Sequence, residues 1–426
     1  MDQKNISFRE VFTPNDQPTL TYVSRDNKKI EAKLKDYIES PKTVVSICGP
    51  SKTGKTVLIR SVIENDSLIP LTGASIKSLD DFYNGIFSWM DAPIEISQSS
   101  SSSTDQKIQA NGGLELNAGI AKLKTGGLGE TTEKTSESET NKFSNDPIQK
   151  IVKEIGDSGF VLFIDDFHYI QKEVQYEVAK VIKALAEKGV KICTASVPHR
   201  NDDVVRANTE LRGRLASIDM PEWDHDELKS IAEKGFEALN VNINDAIKNR
   251  IVEESFQSPQ LVQALCMNLC RISGIRERKL KKEDVNVDEE FFQDALKDTS
   301  DFTNFSNLVE LLHSGPKVHG MERKQFDLTD GTKGDVYRAI LLAIKKDPPS
   351  RQFDYDLILQ RVKDVCVNES PSGSSISGSL GHISSIATEQ TGMGRVLEWD
   401  ENHLTIIDPY FSFYLRSSDK LSLLKK

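Results

Sequence analysis

Between the apolar run VVSIC and the amphipathic VLIRSVI stands GPSKTGKT, residues 49–56, and no other stretch of the chain restricts its fold so tightly. A Gly-x-x-x-x-Gly-Lys-Thr loop running from a buried strand into a helix gives each part a mechanical task. Gly49 and Gly54 let the backbone curl without a Cβ in the way. Pro50, Ser51, Lys52, Thr53 and Val57 complete the turn and the start of the helix, whose N–H groups and dipole favour a phosphate. Lys55 reaches toward the outer phosphates of such a ligand, and Thr56 offers its hydroxyl to Mg²⁺.

A second stretch gives this loop a partner. FVLFIDDFHYI, 160–170, is an apolar strand ending in two carboxylates, which brings Asp165 to the metal side of the phosphate and Asp166 to the side of an attacking water. Apolar strands often end in an acidic turn, so the pair gains its meaning from the loop upstream.

The surrounding sequence supports an α/β sheet. Residues 43–222 alternate β-rich runs (TVVSIC, LIPLTGASI, FVLFID, VKICTAS, LASIDM) with helical patterns, as expected of a parallel sheet with helices on both faces. The stretch 97–141 interrupts this pattern. It is rich in Ser, Gly and Thr and reads as an insertion, either a flexible loop or a β-hairpin around Gly119 between disordered arms. From Asp224 to about Thr299 the periodicity is wholly helical, so 223–300 reads as a helical lid, 301–332 as a linker, and 1–42 as an N-terminal arm. In 333–426, three helical patterns precede two strands around the turn DEN, the order of a winged helix.

Charge bounds the partners. A net charge of −11 over 426 residues, with a pI near 5.3, argues against a protein that coats nucleic acid or an anionic membrane, but leaves room for a local basic patch. The third helix of the C-terminal pattern, within 372–392, contains no Lys or Arg, which disfavours DNA reading by that helix and favours packing of the winged helix against the nucleotide domain or a partner. No stretch approaches the roughly 18 apolar residues of a membrane span, and the amino terminus lacks a leader's pattern, so a cytoplasmic protein is expected. The five cysteines lie mostly in apolar runs, which suits reduced core residues; Cys266 and Cys270, one helical turn apart, lack a second pair at ligand spacing.

With these motifs in place, the chain resembles the STAND branch of the AAA+ and origin-recognition-like P-loop ATPases over roughly residues 12–416. The resemblance implies ATP or ADP with Mg²⁺ as ligands, a homo-oligomer or a separately encoded protein partner, and a switch used in signalling, including bacterial defence against phage. A DNA-associated ATPase akin to replication initiators, or a scaffold that keeps ADP without hydrolysing it, stay open beside it. Many AAA+ proteins end the second motif in Asp-Glu. The shorter carboxylate of Asp166 reaches less far toward water, so slow hydrolysis is implied. In TASVPHR, 194–200, the resemblance makes Thr194, Ser196 and Arg200 candidates for sensing the γ-phosphate. Arg212 and Arg214, in ELRGRLASIDM, are candidates for touching it from the same chain or from a neighbour, or else a surface pair bonded to local carboxylates. Pro259, in QSPQL, matches a lid sensor with Ser258 in place of glycine, although proline also suits any first helical turn. Tyr22, Val23 and Arg25 lie in a segment that covers the base in similar proteins, or in an ordinary packed arm. The ending IIDPYFSFYLR is similar to the close of winged-helix domains attached to STAND-like ATPases.

Overall fold

The computed structural model describes residues 5–25, 28–90, 146–197, 208–317, 320, 322–389 and 396–424. The expected insertion at 97–141 lies outside the described residues, as does Arg200.

The five β-rich runs form β1 (Val44–Cys48), β2 (Leu68–Thr72), β3 (Val161–Asp165), β4 (Lys191–Ser196) and β5 (Leu215–Asp219). They build one parallel sheet in the order β2-β3-β4-β1-β5. All five residues of β1 are buried because helices cover both faces, which is why it reads as a continuous Val/Ile run rather than an alternation. Pro70 is exposed on β2, an edge strand, where a missing N–H does no harm. One face of the sheet packs the helices Leu79–Trp89, Pro147–Ile155 and Lys172–Glu187 through Phe82, Ile86, Ile151, Ile182 and Leu185. The other packs Ile30–Glu39 and Lys55–Val62 through Leu34, Ile38, Leu58 and Ile59. Parallel strands joined by crossovers place all their C-terminal ends along one rim, where such sheets bind ligands.

The lid begins at Asp224, which caps the helix His225–Ala238 in a reciprocal box with Glu227, and continues through the helices Asp245–Glu254, Pro259–Ile272 and Glu289–Asp301. It is not wholly helical: β6 (Val241–Ile243) and β7 (Glu283–Val285) add a short parallel pair, each strand too brief to leave a period of two in the sequence. The N-terminal helix Phe8–Val11 belongs to this core. Phe12 packs edge-on to Phe236, ring centroids 5.3 Å apart, and approaches so closely that a Cβ on Gly235 would lie 2.2 Å from its ring.

Residues 301–332 are not a linker. The helix Ser306–Ser314 and the small ladder of β8 (Phe326–Asp327) and β9 (Lys333–Gly334) bury Phe305, Leu308, Val309, Leu312, Phe326 and Leu328 in the C-terminal core. Polar groups require this too. The fully buried Arg338 donates to Thr332 Oγ1 at 3.0 Å, to Asp330 Oδ2 at 2.9 Å and to the carbonyls of Leu421 and Leu424 at 3.0 and 3.1 Å, so the preceding loop completes its shell. The helices Val336–Lys345, Tyr355–Asp364 and Gly373–Glu389 then lead to β11 (Leu397–Asp400) and β12 (His403–Ile406). Glu401 and Asn402 both take left-handed angles, φ 44° and 63°, as a two-residue turn matched to strand twist requires. A third strand missed in the sequence, β10 (Gln352–Asp354), pairs with β12.

The closing helix Pro409–Ser417 ties this domain to the lid: Phe413 is buried in the lid core, and Arg416 grips Glu254 bidentately at 3.1 and 2.9 Å.

Candidate nucleotide-binding site

The loop 49–56 leaves β1 beside the tip of β4, where the Gly49 N–H donates to the Ser196 carbonyl at 3.2 Å. Gly49 is required by packing, since a Cβ there would lie 2.6 Å from Met220 Cβ. Gly54 (φ 90°) and Lys52 (φ 63°) make the curl with left-handed angles, and Trp223 steadies it by donating from Nε1 to the Thr53 carbonyl at 2.9 Å. Lys55 is 7% exposed and donates to the loop's own carbonyls, Gly49 at 2.9 Å and Pro50 at 3.0 Å. Burial pushes its ammonium below the usual lysine range, while Asp165 and Asp166 pull it back up.

The structure brings the two motifs together. Thr56 Oγ1 donates to Asp165 Oδ2 at 2.5 Å, so the loop and the tip of β3 share one polar centre. Burial raises the Asp165 carboxyl above the ordinary aspartate range; the Thr56 hydrogen bond opposes this and the Asp166 charge adds to it. Asp166 takes φ 53° and donates its N–H back to Asp165 Oδ1 at 2.9 Å. Its backbone presses on Gly73, where a Cβ would lie 2.2 Å from the Asp166 carbonyl oxygen. Gln175, unnoticed in the sequence, holds the following turn by donating to the carbonyls of Ile170 at 2.9 Å and Phe167 at 3.3 Å.

A half-buried carboxylate bonded to a threonine hydroxyl, beside a buried ammonium whose hydrogen-bond partners among the described residues are carbonyls, fits a metal-bound phosphate. Thr56 and Asp165 form the oxygen pair suited to Mg²⁺, and Lys55 has its charge available for phosphate oxygens.

Other sequence candidates fare differently. Ser196 lies in register with Cys48 at the rim, buried, its carbonyl bonded to the Gly49 N–H and its hydroxyl without a partner among the described residues. Thr194 lies two residues deeper, and its hydroxyl bonds to the Val45 carbonyl at 3.4 Å inside the sheet, so it does not reach the site. Arg212 and Arg214 are at the wrong end for a role within their own chain. β5 runs parallel to β1, Arg214 precedes its first residue, and its carbonyl accepts from the Val44 N–H at the start of β1. The five-residue strand separates them from the loop by about 15 Å, and Arg214 pairs with Glu187.

Arg25 is also redirected. It is 4% exposed, and its guanidinium donates to Glu227 (3.2 and 3.1 Å) and to the carbonyls of Pro221 and Glu222 (both 2.9 Å), stacked 4.7 Å from the Trp223 ring. With these donors engaged it clamps the arm to the junction of sheet and lid rather than touching a base. Tyr22 donates to Glu31 and Ser61 at 3.0 Å and, with Val23, lines the cavity. Pro259 opens its helix behind the Ser258 cap and lines the same cavity.

That cavity, about 1700 Å³, has walls from every part of the molecule: the arm (Thr13, Gln17, Tyr22), the loop, the β3 carboxylates, the lid (Pro259, Gln263) and the C-terminal domain. Packing of the last against the nucleotide domain is one of the two arrangements expected from the sequence, although none of its residues was assigned to the site. Arg351, Glu398, Asp400, Glu401, His403 and Asp408 bring the β11–β12 hairpin and its flanks over the phosphate loop. Burial raises the Asp408 carboxyl, opposed by the Tyr410 N–H and by the charges of Lys52 and Arg351.

No protein-family model and no curated protein matches the sequence. Solved structures do. A Walker-type ATPase of Pyrococcus abyssi is 16% identical, with 93% of this chain and 100% of that chain covered and a TM-score of 0.49. Cdc6p from Pyrobaculum aerophilum is 13% identical, with 99% and 100% covered and a TM-score of 0.43. The Orc1 protein of Aeropyrum pernix, in complex with DNA, is 11% identical, with 100% and 98% covered and a TM-score of 0.46. In this chain itself, a glycine-rich loop between a central parallel strand and its helix, facing a carboxylate-tipped strand two places away in the sheet, is the architecture of a P-loop nucleotide-binding fold with a helical lid.

Proposed function

We propose that the protein is an ATP-binding, slowly hydrolysing switch of the STAND/AAA+ type, in which the bound nucleotide sets the position of the lid and of a winged-helix C-terminal domain. The observation that carries this reading is the shared cavity: the phosphate loop, the lid and the acidic hairpin all face one space. A triphosphate placed there meets all of them at once.

In this reading the chain's own groups act as follows. The loop N–H groups and the helix start cradle the β-phosphate. Lys55 exchanges the carbonyls of Gly49 and Pro50 for phosphate oxygens. Thr56 and Asp165 hold Mg²⁺, which when bound neutralises charge on the outer phosphates. Asp166 accepts a hydrogen bond from the attacking water, and Ser196 donates its unpartnered hydroxyl toward the γ-phosphate. Asp408 and the hairpin carboxylates are repelled by the γ-phosphate, so its presence or loss changes how closely the C-terminal domain sits on the loop. Arg212 and Arg214 serve a neighbouring subunit in this reading, and the output is assembly or partner binding.

The test is calorimetric titration with ATP and Mg²⁺. Wild type binds; Lys55→Ala weakens binding by about 1000-fold, the effect of removing one partner of a buried charge pair. Equal affinity in the two proteins would refute the assignment. Light scattering with a non-hydrolysable ATP analogue then reads the output as a change of mass.

A further inference from the structure

The chain is acidic overall, yet residues 276–282, RERKLKK, carry five cations against one carboxylate. This segment runs from the helix Pro259–Ile272 to β7 and is hydrogen-bonded to the N-terminal segment. Phe8 N–H donates to the Arg276 carbonyl at 3.1 Å and Arg278 N–H to the Ile6 carbonyl at 2.8 Å, while Asn240 Nδ2 fixes the Lys279 carbonyl at 2.8 Å. The backbone is therefore held, and the side chains project from a built surface. Arg9 and Arg276 flank the Phe8 ring at 5.5 and 5.7 Å.

These cations differ from others on the lid. Arg250, Arg271 and Lys279 have carboxylate partners in Glu289, Asp298 and Glu283. Arg9, Arg276, Arg278, Lys281 and Lys282 make no ion pair among the described residues, and the buried Arg278 Nε has no acceptor. The local acids are engaged elsewhere: Glu277 accepts from Asn5, and Asp284 from Asn242. At the turn Leu280 is 87% exposed.

We propose that this lid surface binds the phosphate backbone of a nucleic-acid duplex. Three of the five unpaired cations are arginines, whose planar forks match phosphate oxygens, and in the extended segment Arg276 and Arg278 point to one side about 7 Å apart. A single leucine is too little apolar surface to anchor a membrane. The cation-free third helix of the C-terminal domain is no obstacle, because the contact lies on the lid. The proposal does not depend on the nucleotide reading.

The experiment is fluorescence anisotropy of labelled duplex DNA and duplex RNA with the full chain at several salt concentrations. The variant is Arg276→Gln/Arg278→Gln/Lys281→Gln/Lys282→Gln, and the charge control is Lys33→Gln/Lys35→Gln. Four lost phosphate contacts correspond to a slope of log K against log salt that is shallower by about 4 units, with affinity at low salt down about 10-fold or more. The control variant keeps the wild-type slope, and unchanged circular dichroism shows that the quadruple variant is folded. DNA and RNA binding alike support backbone recognition. No salt-sensitive duplex binding by wild type, undiminished binding by the quadruple variant, or binding of wild type to phosphatidylserine vesicles alone would each overturn it.

Discussion

The floor of the cavity centres on one contact between residues 109 apart in sequence, Thr56 in the helix that follows β1 and Asp165 at the tip of β3, two places away in the sheet. Its roof is a different construction. There the arm, the lid and the C-terminal hairpin converge, fastened by buried groups such as Arg25 and Glu227, 202 residues apart, that bind each other rather than a ligand. In the proposed function the floor side chains handle phosphate and metal while the roof side chains hold the walls together, so damage to each is read by a different instrument.

The largest effect that would separate them is on the roof. Glu227→Ala leaves a buried guanidinium with carbonyls alone and costs about 3 kcal/mol of stability in denaturant titration, while nucleotide affinity of the folded fraction persists. Loss of binding with unchanged stability would break the distinction. Next, on the floor, Asp166→Asn lowers ATP turnover by about 100-fold, a typical contribution of a group that handles the attacking water, with binding retained; equal turnover would remove Asp166 from the chemistry. The smallest effect sharpens the contrast. The folded state raises the Asp165 pKa, so it binds that proton more tightly than the unfolded chain does, and the resulting penalty appears as pH rises from about 3.8 through the raised value. Asp165→Asn accordingly stabilises the ligand-free protein by about 1 kcal/mol at neutral pH, the gain shrinks as pH falls toward 3.8, and Mg²⁺ no longer strengthens ATP binding. Melting curves across pH give the sign directly.

The sequence disclosed the floor because its residues are unusual in type and order: two glycines, a lysine and a threonine after one strand, two aspartates after another. The roof was not legible in the same way. Trp223, Asp408 and Gln175 are ordinary residues individually, and only folding shows that they meet the loop, the cavity or the turn after Asp166. For Arg25 the resemblance implied a place near the base and the packed arm was the alternative; its pairing with Glu227 fits the packed arm. Arg212 and Arg214 teach a simpler lesson. In a parallel sheet, residues preceding a strand lie at the opposite rim from residues following one, so their position before β5 already distanced them from a loop that follows β1. The apparent linker carries a legible helical spacing of its own in Leu308, Val309 and Leu312, but what fixes its polar end, completing the shell of Arg338 through Asp330 and Thr332, arises from a residue further along the chain.

Trp223 has one further consequence. Its indole is pinned between the Arg25 guanidinium and the Thr53 carbonyl, where the sheet gives way to the lid. Both neighbours affect its excited state, the cation by shifting the emission colour and the hydrogen bond by controlling quenching. With Trp89 and Trp399 replaced by Phe, Trp223 becomes an optical gauge native to the junction of sheet and lid, and a rearrangement there on adding ATP and Mg²⁺ is read from its emission wavelength after rapid mixing.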